Sequence, residues 1–207
     1  MIFAIGIDPA QHSGVALVGF DAGAICLGVW PVYGDTWRAW SARAIDAARA
    51  IKTIVADNEV FGWYEKTPPN RGGKTWDPRP MSERAGAMIL ALHVAGVQVA
   101  LEGIQCSQWT SLAGVPSGKN GGGEHRIQEA SLRIGRAGRW LEGLEHCQID
   151  CAEALLIAYG CLCKARQPKN KQFLLFPSAS TATAGRRKRE ISVAEKKMKK
   201  KTEVPHG

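Results

Sequence analysis

The hydrophobic pattern of the chain switches between two periods. Residues 2–8, Ile-Phe-Ala-Ile-Gly-Ile-Asp, are apolar until the last position, which predicts a strand buried on both faces and central in a sheet. Residues 14–20 predict a second strand, and the short link Pro9-Ala10-Gln11-His12-Ser13 makes the two a hairpin. A third strand is expected over 24–32. From Trp37 to Ala56 the spacing becomes helical, with Trp37, Trp40, Ala44, Ala47, Ala48, Ile51, Ile54 and Val55 on one side. A strand over 60–65 follows, then a helix over 81–95 that sets Met81, Ala85, Met88, Ile89 and Leu92 on one side, then a strand over 97–104. Helices are expected over 124–141, with Ile127, Ser131, Ile134 and Leu141 inward, and over 149–163. The Pro- and Gly-rich residues 67–80 and the segment 105–123 read as loops. Three strands, a helix, a strand, a helix, a strand and then helices predict an α/β fold. Its mixed five-stranded sheet would carry helices on both faces.

Charge divides the chain in two. From Lys164 onward there are 13 Lys/Arg against 3 Asp/Glu, a balance of +10 within a total of +8. The rest holds 14 basic and 16 acidic residues and is nearly neutral. The expected organisation is a folded domain over 1–166 and a basic, disordered tail over 167–207. Such a tail suits a polyanion, most often nucleic acid. Six cysteines form no pair of CxxC units, so they read as reduced core thiols rather than a zinc site. No apolar run is long enough for a membrane span, and the N-terminus lacks the basic start of a signal peptide. A cytoplasmic protein is expected.

Four acids stand at the ends of apolar segments. Asp8 closes the first strand and Glu65 the fourth, while Asp150 and Glu153 open the last helix, three residues apart and on one face. A carboxylate at the end of a buried strand is poorly hydrated without a partner. If the helix crosses the strand ends, up to four carboxylates gather. Hard oxygen ligands of this kind favour Mg²⁺ or Mn²⁺. Two such ions about 4 Å apart form the clamp used for in-line attack on a phosphodiester. Each acid also has an ordinary explanation: Asp8-Pro9 as a turn start, Glu65 as a surface acid, and Asp150-x-x-Glu153 as a helix capping box with Asp150 as N-cap.

The sequence Ile5-Gly6-Ile7-Asp8-Pro9-Ala10 followed by Gly14-Val15-Ala16 resembles the first motif of RuvC-type Holliday-junction resolvases, within the RNase H-like nuclease superfamily. Tyr64-Glu65 resembles the second acidic motif, and residues 150–158, from Asp150-Cys151-Ala152-Glu153, the third. The resemblance covers about residues 2–163. It implies an RNase H-like fold and a homodimer that cleaves four-way or branched DNA, with Asp8, Glu65, Asp150 and Glu153 as catalytic acids and metal ligands. The chain departs from the family pattern at Glu153, where Asp is usual, and at Ala10, where Gly is usual. The family also places a basic residue near the scissile phosphate, for which Lys119, His125 and Arg126 remain open. Arg71, Lys74, Trp76 and Arg79 in the 67–80 loop would contact DNA, as would His125 and the Arg126, Arg133 and Arg136 sector of the 124–141 helix. The 81–95 helix corresponds to the family's dimer interface. Other expectations compatible with the residues are a nuclease for structured RNA and a catalytically decayed nucleic-acid-binding module. An ATPase of the actin and sugar-kinase type needs more chain than 207 residues with such a tail provide.

Overall fold

A computed structural model of the chain describes residues 1–66, 79–116, 122–144 and 146–166. Arg71, Lys74, Trp76, Lys119 and the basic tail lie outside the described residues. Residues 1–166 form one compact unit.

Five strands build one mixed sheet: β1 (Ile2–Asp8), β2 (Ser13–Phe20), β3 (Ala24–Val32), β4 (Val60–Glu65) and β5 (Val99–Ile104). Their order is β3-β2-β1-β4-β5. β1 pairs antiparallel with β2 and parallel with β4, and β4 pairs parallel with β5. The fully apolar β1 is central, as its pattern predicts.

Strand parity decides which residues meet which helices. Phe3, Ile5 and Ile7 turn to the face covered by α1 (Trp37–Val55) and α2 (Arg79–Val94). Ala4 turns to the opposite face with Ala16, Val18 and Trp63. That second face is covered by α3 (Cys106–Ala113), α4 (Gly123–Arg133), α5 (Ala137–Leu141) and α6 (Gln148–Ala165). Beyond Gly6 at the same parity stands Asp8 on β1, and after Trp63 stands Glu65 on β4. Register places Ile7 beside Tyr64, so the two acids close neighbouring strands at the same end.

α6 lies on β1 and β2 at very short range. A Cβ on Gly6 would run into the Ala154 carbonyl and come within 2.6 Å of the Ala158 amide nitrogen. A Cβ on Gly14 would strike the backbone of Asp150 and Cys151. The residues facing the strands are small, with Ala154 and Ala158 fully buried.

Three local expectations are corrected. The 105–123 loop contains α3, whose inward residues Trp109, Thr110 and Ala113 are hidden by the polar residues around them. The 124–141 helix is two helices. Ile134 turns extended, and Gly135 exchanges backbone hydrogen bonds with β3, accepting from Cys26 at 2.8 Å and donating to Ala24 at 2.9 Å. Competition from the open edge of β3 ends the helix there. Arg136 then takes a left-handed conformation (φ 67°), so Arg126, Arg133 and Arg136 share no helix face. Finally, α2 starts at Arg79, inside the expected loop, with Pro80 tolerated in the first turn.

The closeness of α6 makes Gly6→Ala a severe substitution. It should destabilise the fold by about 3 kcal/mol or more, measured by urea unfolding. An unchanged midpoint would mean that α6 does not lie against β1.

Candidate active site

β1 and β4 deliver Asp8 and Glu65 to one end of the sheet, and α6 crosses there with Glu153 facing them. Ligating oxygens of Asp8, Glu65 and Glu153 all lie within 4.8 Å of one another. Asp8 is 4% exposed, while Glu65 and Glu153 are half-buried. Asp150, one turn earlier on α6, falls outside this group of three. It borders the site on the side of His12, whose ring eases the ionisation of Asp150.

The capping-box explanation of Asp150 does not hold. α6 begins at Gln148 with Cys147 as N-cap, so Asp150 is the third helical residue and no N-cap. Its charge suits the first turn of a helix, but no cap requires it.

Crowding sets the electrostatics. Burial pushes the Asp8 carboxyl well above its ordinary value, and Glu153, Glu65 and Asp150 push it further. Burial and then Glu65 raise Glu153 to about 7, against the pull of Arg126. Glu65 and Asp150 are also raised, chiefly by burial. A cation among them would offset this crowding. Hard oxygens from several strands and a helix fit a divalent ion such as Mg²⁺ or Mn²⁺. Asp8, Glu65 and Glu153 would hold it, with Asp150 at the margin.

Two residues complete the inner wall. Trp109, fully buried on α3, donates its indole N–H to Glu65 Oε2 at 2.9 Å. Arg126, 3% exposed on α4, sets Nε 3.2 Å from Glu153 Oε1. Sequence reasoning missed Trp109 because its segment read as a loop. The signal was Gln105-x-x-Gln108, where the Gln108 side chain accepts from the Gln105 backbone N–H at 3.2 Å, as at a helix start.

The other expected basic residues are dispersed. His125 Nε2 lies 3.5 Å from Glu129 Oε1. Arg133 donates to Glu129 at 2.7 Å and to the Gly114 carbonyl at 2.7 Å, joining α4 to the end of α3. Arg79 is exposed at the start of α2. Two features flanking the acids were not anticipated. On the β3 side, the Arg43 guanidinium lies 3.7 Å over the exposed Tyr33 ring, with His12 nearby. On the β5 side, a cleft of about 640 Å³ is lined by Lys66, Ser107, Gln108 and Lys164 among others.

The charge crowding has a measurable consequence. Raised folded-state values mean that the unfolded chain loses these protons first. Stability without ions should therefore fall as pH rises from the ordinary glutamate value, near 4.5, through about 7. Melting curves at pH 5 and pH 8 should differ by several degrees, about 3 °C for each kcal/mol in a unit of this size. Mn²⁺ should restore the loss at pH 8, and so should Asp8→Asn without metal. A flat profile would contradict the crowding.

No protein-family profile and no curated protein matches the chain. Solved structures do. A Thermus thermophilus RuvC structure, described as a complex with a Holliday junction substrate, aligns with a TM-score of 0.54 at 18% identity, over 80% of this chain and 96% of that one. A second Thermus thermophilus RuvC structure aligns with a TM-score of 0.53 at 21% identity over the same shares. The yeast mitochondrial Holliday junction resolvase aligns with a TM-score of 0.48 at 15% identity, over 82% of this chain and 85% of that one. Among the described residues no helix is long and apolar enough to cross a membrane. From strand order, helix placement and the two Thermus thermophilus alignments together, the protein has the fold of RuvC, of the RNase H-like class.

Proposed function

We propose that the protein is a metal-dependent, structure-selective endonuclease that cuts four-way or branched DNA by paired nicks. The convergence of Asp8, Glu65 and Glu153 within 4.8 Å, on a fold shared with RuvC, carries this reading. That RuvC was solved with a Holliday junction supports the choice of substrate. Mg²⁺ is the natural ion, with Mn²⁺ as a substitute. Two such ions would activate a water and stabilise the leaving oxygen of the scissile phosphodiester. Within the protein, Asp8 is the rigid acid, fixed by burial at a strand end. Glu65 and Glu153 bring longer arms from β4 and α6. Asp150 would join when the second ion and the phosphate enter from its side.

DNA would lie across the acid end of the sheet. Arg79, His125 and Arg133 belong to that contact surface in this reading, together with Arg71, Lys74 and Trp76 of the segment after Glu65. Lys119 precedes α4 and is the proposed basic aid to catalysis. Lys66, next to Glu65, and Arg43 on the side of Asp150 add positive charge near the acids, while Lys164 at the far end of α6 pairs with Glu102 at 3.8 Å. The basic tail supplies sequence-independent affinity through counterion release.

Paired cuts call for two active sites, which a symmetric dimer provides. α2 packs inward through Ala85, Met88, Ala91 and Leu92 and leaves Leu90 61% and Val94 74% exposed, one turn apart. An apolar outward stripe of this kind supports a homodimer through α2.

With Mg²⁺ the purified protein should nick a synthetic mobile four-way junction symmetrically and leave linear duplex intact. Asp8→Asn should abolish cleavage while junction binding persists in a gel-shift assay. Normal cutting by that variant would refute the metal site, and equal cutting of duplex would refute the junction. In sedimentation the wild type should be a dimer and Leu90→Glu largely a monomer. A wild-type monomer at micromolar concentration would argue against the α2 interface.

A further inference from the structure

Trp109 and Arg126 come from different helices and meet behind the acids. Each is tied to a different carboxylate: the indole N–H to Glu65 at 2.9 Å, the guanidinium to Glu153 at 3.2 Å. They are also tied to each other, with the Arg126 guanidinium carbon 4.9 Å from the Trp109 ring centroid. The indole is fully buried and the arginine almost so. Arg126 Nε and Nη1 are both buried with no hydrogen-bond partner among the described residues, so its contact with Glu153 is an ion pair rather than an aligned hydrogen bond. A guanidinium so enclosed faces carboxylates and an aromatic ring, and is poorly placed to receive a phosphate from solvent.

We propose that Trp109 and Arg126 act together as a strut that holds Glu65 and Glu153 at ligating separation, which makes both of them positioning residues of the metal site. The inference rests on the reading of Asp8, Glu65 and Glu153 as ligands. Three carboxylates this close repel one another. Asp8 is short and buried and cannot swing far. The two glutamates have an extra rotatable bond and would move apart toward water. A donor locked in the core fixes Glu65, and a cation stacked on that same donor fixes Glu153. The stacking contact couples the two acids, since displacing the indole removes the platform under the guanidinium. Outer partners of this type commonly govern metal affinity.

The test uses the full-length protein and Mn²⁺ titrated by calorimetry. Trp109→Phe keeps an aromatic ring and removes the donor, and Arg126→Lys keeps the charge and removes the planar fork. Each variant should bind Mn²⁺ about tenfold more weakly than the wild type while its circular dichroism remains native. The double variant should be little weaker than the worse single one, because one strut is broken only once. A purely structural role would lower the melting temperature and leave the Mn²⁺ affinity of the folded protein unchanged, which would overturn the proposal. Fully additive losses would overturn the coupling. If the wild type binds no Mn²⁺, the ligand reading fails and the strut with it, whereas wild-type affinity in Trp109→Phe fails the strut alone. The unaltered protein gives a second measurement. The Trp109 indole N–H resonance should shift as Mg²⁺ is added, and a resonance that stays fixed through saturation would contradict the proposal.

Discussion

The close approach of α6 to β1 and β2 is the contact on which the site depends. Gly6 and Gly14 present bare backbone to the helix, and Ala154 and Ala158 answer with small side chains. Larger residues at these four positions would lift the helix from the sheet. Glu153 would then leave Asp8 and Glu65. The same closeness removes water from the strand ends, and burial becomes the leading cause of the raised Asp8 and Glu153 carboxyls. Packing and electrostatics are therefore one arrangement: the helix that completes the acid cluster also buries and crowds its charges.

The two faces of the sheet divide the work. Phe3, Ile5, Ile7, Val15 and Leu17 pack against α1 and α2 in a conventional aliphatic core. The other face is built of smaller sheet residues and four helices, and it carries the acids at one end. In the second, Trp109 donates a hydrogen bond to Glu65 and Arg126 forms an ion pair with Glu153 from behind, which offsets part of the cost of burying these charges.

Much of this was legible in the sequence, for identifiable reasons. The uninterrupted apolar run before Asp8 could only be a central strand. In the structure, strand parity sets Asp8 on the face opposite Phe3, Ile5 and Ile7, and the same parity holds for Glu65 after Trp63. The i, i+3 spacing of Asp150 and Glu153 placed both on one helical face. Long-range competition was not legible. Nothing local in Ile134-Gly135-Arg136 announces that the edge of β3 will capture Gly135 and split the helix. Trp109 lay in a polar segment whose helix is stabilised by tertiary burial of only a few residues. Arg126 carried the charge pattern of a solvated face, yet it turns inward because Glu153 and the Trp109 ring offer a buried anion and a stacking surface. Glu153, the departure from the resolvase pattern, has a physical counterpart here: its extra methylene lets a helical residue reach both the strand-end acids and the arginine.

The functional reading rests on these carboxylates forming a divalent-ion site. The most direct measurement is anomalous diffraction from crystals soaked in Mn²⁺ at pH 8. The expected result is a peak about 2.0–2.2 Å from oxygens of Asp8, Glu65 and Glu153, close to the distances of small hard cations. A well-ordered map with no peak among these three residues would contradict the central claim.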